Sequence, residues 1–101
     1  MTDTTLIELL AQQVLNWRSG EDRFVTGNRS WCPKWRFNPL ERIEDAFLLL
    51  DHSKATRYVI SQTGSKLQVE VELNQKIGRA TGCSRPRAIT LALARGLGLE
   101  V

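Results

Sequence analysis

Residues 31–51, WCPKWRFNPLERIEDAFLLLD, constrain the fold most strongly, because they join an aromatic, basic extended segment to a well-marked helix start. The spacing predicts a helix beginning at Pro39. Asn38 has a side-chain oxygen to cap it, Pro39 stands where a missing N–H costs nothing, and Glu41 follows three residues after Asn38, as in a capping box. Leu40, Ile43, Ala46, Phe47 and Leu50 then recur on one helical face, while Glu41, Arg42, Glu44, Asp45 and Asp51 take the other. The apolar face needs a core, and Phe47 is expected inside it. Before the cap, Trp31, Pro33, Trp35 and Phe37 alternate with Cys32, Lys34, Arg36 and Asn38, the period of an extended segment with one apolar face.

The rest of the chain supplies partners for that helix. Residues from about Asp3 to Trp17 read as an amphipathic helix with Leu6, Leu10, Val14 and Trp17 in line, capped by Asp3, Thr4 or Thr5. Ser19-Gly20 and Gly27-Asn28 are turn signals around a short strand or hairpin arm at 23–26. Thr56 to Thr63 is β-branched and aromatic, with Tyr58 and Ile60 on one face, and Gly64-Ser65-Lys66 turns it back into Leu67 to Leu73. There Leu67, Val69, Val71 and Leu73 alternate strictly with Gln68, Glu70 and Glu72, so one sheet face is apolar and the other wet, which places the helices mainly on one side. Asn74-Gln75 leads into a third antiparallel strand over 76–83, with close backbone approaches expected at Gly78 and Gly82. Ser84 caps a last helix, Pro86 is tolerated in its first turn, and Gly96 is its expected stop. The fold class is therefore α+β: a three-stranded antiparallel meander packed with three helices, in the order α, basic arm, α, β, β, β, α.

At 101 residues the chain is one domain, 1–101, able to bury roughly two-thirds of its unfolded surface without disulfides or a metal. The net charge of +3 is unevenly spread: −2 over 1–17, +3 over 18–38, −3 over 39–53 and +5 over 54–101. Such basic segments suit an anionic partner. The polar, acidic start is not a secretory signal, and no apolar run approaches the ~20 residues a membrane span needs, so a cytoplasmic protein is expected. Two cysteines, Cys32 and Cys83, with one histidine, His52, are too few for a structural zinc site and are expected as free thiols. No metal or other cofactor is implied.

Two stretches could contact a ligand. KIGRATGCSRPR, residues 76–87, holds Lys76, Arg79, Arg85 and Arg87 without an acid and opens a helix at Ser84, whose free N–H groups and dipole favour a phosphate. It lacks the spacing of a P-loop, and its competing reading is a strand edge with solvated arginines. In the arm, Trp31, Trp35 and Phe37 with Arg29, Lys34 and Arg36 could stack bases while the cations hold phosphates. The competing reading turns these aromatics inward against the Phe47 helix. His52, between Asp51 and Ser53, is a helix C-terminal residue rather than a base, and Glu70 and Glu72 form a solvated face rather than a catalytic pair. No activated nucleophile or acid/base pair is visible, and a non-enzymatic binding module is expected.

The run W-x-P-x-W-x-F-N-P, followed by an acidic helix with Ala46-Phe47 and a leucine run, resembles the small phage ABA-sandwich domain family. The resemblance covers most of the chain and implies a compact α/β domain of phage or prophage origin, with no settled enzymatic activity and no catalytic residues to carry over. Its sandwich label implies helices on both sides of the sheet, unlike the one-sided arrangement that the strand alternation favours. The C-terminal half resembles double-stranded-RNA-binding domains in its helix, three strands and helix, and in a glycine-punctuated third strand leading to Ser84. It departs from them where Pro86 interrupts the basic pair and where the loop at Gly64 is short.

The expectation is a phage-type module that sequesters a nucleotide-derived, phosphate-bearing signal of host defence. Its site would comprise Trp31, Lys34, Trp35, Arg36, Lys76, Arg79, Ser84, Arg85 and Arg87. The alternatives are a double-stranded nucleic-acid-binding domain and a structural or interaction domain with no small ligand. A homo-oligomer, most simply a two-fold dimer covering the polar sheet face, is also expected.

Overall fold

A computed structural model describes residues 2–27, 29–82 and 84–101. Its first half runs α1 (Asp3–Leu15), β1 (Arg18–Ser19), β2 (Arg23–Val25), β3 (Trp31–Pro33), a 3₁₀ turn over Lys34–Arg36, and α2 (Ile43–His52). The second half runs β4 (Arg57–Thr63), β5 (Lys66–Leu73), β6 (Lys76–Thr81) and α3 (Arg85–Gly96). The strands form two antiparallel sheets, β1-β2-β3 and β4-β5-β6. The fold is thus the expected α+β arrangement, and the basic arm is itself a small sheet.

In the larger sheet, Val69 and Val71 of β5 lie beside Ala80 and Gly78 of β6, and these four residues are buried beneath α3. α2 packs on α3, and α1 packs on α2. On the opposite sheet face, Arg57, Val59, Gln68, Ile77, Arg79 and Thr81 are exposed and Glu70 and Glu72 half-buried, the wet face that the alternation of β5 demands. Asn74 and Gln75 both take positive φ, 48° and 70°, as a two-residue hairpin between right-twisted strands requires.

The helix expected from Pro39 begins at Ile43. Asn38 does organise a turn: its Oδ1 accepts the Leu40 N–H at 3.2 Å, and its carbonyl accepts those of Glu41 and Arg42 at 3.1 and 2.8 Å. The turn ends at Arg42, whose extended backbone (φ −109°, ψ 119°) resets the helical phase. The carboxylate answering the Asn38 N–H is therefore that of Asp45, at 3.0 Å, and not Glu41. The reset also rotates the apolar stripe: Leu40, Ala46, Leu49 and Leu50 are buried, while Phe47 is only half-buried and Ile43 exposed.

Other boundaries shift for equally local reasons. Thr2 caps α1, its hydroxyl accepting the Thr5 N–H at 3.2 Å, and Asn16 ends the helix in a left-handed conformation, φ 57°. Trp17 thereby leaves the helix and joins Phe24 and Phe37 in a cluster of edge-to-face and tilted rings, with centroids 5.0 to 5.8 Å apart. The left-handed residue that stops α3 is Gly98, φ 92°, because the Gly98 and Leu99 N–H groups return to the Arg95 and Ala94 carbonyls at 3.1 and 3.0 Å. Gly96 instead lets the helix approach Leu73 and Gly78.

Candidate functional site

Period-two alternation in the arm stops at Pro33, and the turn at Lys34–Arg36 redirects the aromatics. Phe37 goes into the core, whereas Trp35 is 80 % exposed and Trp31 57 % exposed. The competing reading, in which all of these rings turn inward, is therefore corrected: in β3 it is Cys32 that pairs with the buried Phe24, which leaves Trp31 on the outer face, and beyond Pro33 the turn ends the alternation before Trp35. Trp31 lies under the Arg23 guanidinium, 4.5 Å from the ring centroid, and does not line the cleft beside Trp35.

That cleft, about 310 Å³, lies between the start of α1 and the turn after β3. Ile7, Phe24 and Phe37 give it apolar walls, Thr4, Glu8, Lys34 and Asn38 supply polar groups, and Trp35 completes the lining. Lys34 donates to the Glu8 carboxylate at 2.7 Å and stands 5.5 Å from the centre of the Phe24 ring. The Arg42 guanidinium donates to the Arg36 carbonyl at 3.2 Å and ties the turn to the start of α2. The Arg36 side chain is exposed on the same turn as Trp35.

The basic run 76–87 does not converge on one point. Lys76 lies near Gly98, at the far end of α3. Arg79 points to the wet sheet face, where its Nε donates to Glu70 at 2.8 Å. Arg85 reaches Gln62 of β4 at 3.1 Å, and Arg87 reaches Asp3 of α1 at 2.9 Å. Alternation along β6 and the rotation of α3 send these cations in different directions, so proximity in sequence did not become a cluster. Ser84 is the N-cap residue of α3, but its hydroxyl makes no capping bond. Cys83 lies outside the described residues.

Arg87 is the member of this run that reaches α1, through Asp3. Asp3, its partner, precedes the cleft residue Thr4, and one turn along α3 Thr90 bonds the carbonyl of Pro39, next to the cleft residue Asn38. The Arg87 hydrogen bond holds the Asp3 carboxyl below the usual carboxylate range. Burial pushes the Cys32 thiol up, against any nucleophilic role at neutral pH. His52 is the last residue of α2, its Nδ1 3.0 Å from the Leu48 carbonyl oxygen. Among the described residues, no three His, Cys, Asp or Glu side chains gather as metal ligands, and no helix is long and apolar enough to cross a membrane.

Sequence reasoning found Lys34 and Trp35 but missed Thr4, Ile7 and Glu8, which α1 brings to the same cleft from 26 or more residues away. Their only signal was a position on α1 beside its buried Leu6 and Leu10 stripe.

No curated protein matches the chain. Among solved structures, the chain is similar to a phage protein from Bacillus cereus ATCC 14579, known from a 2.0 Å crystal structure. The TM-score is 0.76 at 17 % identity, covering 100 % of this chain and 92 % of the other, a likeness of fold. The model of the phage ABA sandwich domain matches residues 8–93, which include the cleft residues from Glu8 to Asn38, the larger sheet and most of α3, and the chain belongs to that family.

Proposed function

We propose that this phage-family domain is a non-enzymatic binding module that holds a nucleotide-derived, phosphate-bearing ligand in the cleft between α1 and the arm. The observation that carries the reading is Trp35: the most exposed large apolar side chain of the described residues borders an apolar-walled cleft, with Lys34 and Arg36 beside it in sequence. An indole held in water by a short turn is a stacking platform for a base, and adjacent cations suit the phosphate. In a phage protein, such a module would serve by sequestering a soluble signal of host defence.

The dispersal of Arg79, Arg85 and Arg87 over separate faces favours a small ligand over a duplex, whose phosphates demand a continuous basic stripe. The deciding experiment is a thermal-shift screen against cyclic and ADP-ribose-like nucleotides, run beside mobility shifts with labelled duplex RNA and DNA over a range of salt. Stabilisation by a nucleotide that Trp35→Ala abolishes supports the reading. Steeply salt-dependent duplex binding favours the nucleic-acid alternative, and no response to either library leaves a structural or interaction domain.

A further inference from the structure

The two edges of the larger sheet are unlike. Lys76 follows Leu73 across a two-residue loop, so their pair exchanges both backbone hydrogen bonds and every second residue along β6 turns its N–H and C=O outward. Ile77, Arg79 and Thr81 are those residues. The outward carbonyl of Arg79 accepts the Arg95 guanidinium from α3 at 2.6 Å, and charged side chains stand at Lys76 and Arg79. That edge is closed by devices that natural sheets use against pairing.

At β4 the same reasoning runs from the Gly64-Ser65 loop and the Thr63–Lys66 pair, and it leaves Tyr58, Ile60 and Gln62 with outward backbone groups. From Tyr58 to Thr63 the strand has no proline and no charge. Tyr58 and Ile60 share the sheet face of Val71 and Val69, but α3 lies over β5 and β6, so they remain 47 % and 36 % exposed, with Val59 on the opposite face at 43 %. An open edge carrying three apolar residues is unprotected in the single chain.

We propose that β4 pairs with β4 of a second copy about a two-fold axis at Val59, joining two three-stranded sheets into one of six strands. Antiparallel pairing at this register sets Val59 against Val59, Tyr58 against Ile60 and Arg57 against Ser61 of the second copy. Each apolar residue meets an apolar residue, and no like charges are opposed, whereas parallel pairing would set Arg57 beside its own copy. The outward N–H and C=O of Tyr58 find those of Ile60, making Val59 a non-hydrogen-bonded pair with its Cα atoms about 4.5 Å apart. The second copy is favoured as occupant because this edge is complementary to itself in hydrogen bonds, apolar surface and charge.

The test is sedimentation of the full chain, followed up to about 100 µM because a small edge interface lies at the weak end of specific association. The wild type is expected to dimerise. Ile60→Pro removes only an outward N–H and should give a folded monomer by circular dichroism. Val59→Lys, which sets two cations together at the axis, repeats that test without touching the backbone. Val59→Cys, treated with diamide as the two-electron oxidant, should give a disulfide-linked dimer that neither the wild type, with its own Cys32 and Cys83, nor Arg57→Cys gives. A wild-type monomer throughout, a dimer that survives Val59→Lys, or no cross-link in the Val59→Cys variant would each overturn the pairing.

Discussion

The hydroxyl of Thr90 donates a 2.7 Å hydrogen bond to the carbonyl of Pro39, with Thr90 fully buried, and this bond fastens α3 to the turn that precedes α2. A buried carbonyl facing a methyl group would lose its partner without gaining water. Thr90→Val, nearly identical in shape, should therefore cost about 1–3 kcal/mol, read as a lower urea midpoint with an unchanged denaturant slope. A neutral result would mean that the Pro39 carbonyl finds another donor.

Leu49→Ala should be the more costly of two truncations in α2, at about 2–5 kcal/mol, because Leu49 is fully buried and the half-buried Phe47 is not. Phe47→Ala should fall below the ~3–5 kcal/mol of a fully buried phenylalanine. Periodicity showed that this segment was helical with one apolar face. It could not show that Arg42 interrupts the first turn, and that interruption decides whether Phe47 or Leu49 sits at the centre. Faces are legible over an unbroken element and lost across a reset of phase, which is also why the turn at Lys34–Arg36 leaves Phe37 buried and Trp35 exposed although the two share one period-two face in the sequence.

Gly78→Ala should loosen α3 from the sheet, since a Cβ there would collide with the Ala92 carbonyl and the Gly96 amide of α3. The expected loss is about 1–3 kcal/mol or more, with hydrogen exchange accelerated along β6 and α3. Gly82→Ala is the contrast: nothing lies within 4 Å of its Cβ position, and its cost, about 1–2 kcal/mol, comes from φ +75° alone. The sequence marked both glycines as close approaches, but only Gly78 is one. A glycine demanded by a neighbour and a glycine demanded by its own φ look alike in sequence.

Stability should fall as pH drops through the carboxylate range. Asp3 and Asp22 are held below their usual values mainly by hydrogen bonds from Arg87 and Arg23, and Glu44 by its own backbone amide and then Arg42. With folded pKa values depressed, the unfolded chain binds more protons in that window. The stabilisation is therefore present above the unfolded values and lost on acidification through the folded ones. All three groups are exposed, so salt should flatten the dependence. Melting temperatures over an acid pH series at low and high salt provide the check.

Glu8 offers the sharpest test of where a phosphate would sit. Its carboxylate is 2.7 Å from Lys34 Nζ, so the ammonium is already engaged and an entering phosphate must compete for it. Glu8→Gln removes the competing charge while keeping a side chain of similar size. For any nucleotide that stabilises the wild type, this variant should bind more tightly, and Lys34→Ala more weakly, in isothermal titration. A ligand touching one to three phosphates should show a shallow dependence on salt, whereas a duplex should show a log–log slope of about −0.9 per phosphate contacted. If Glu8→Gln leaves affinity unchanged while Trp35→Ala abolishes it, the base stacks as proposed but the phosphate lies away from Lys34, and Arg36 becomes the residue to substitute next.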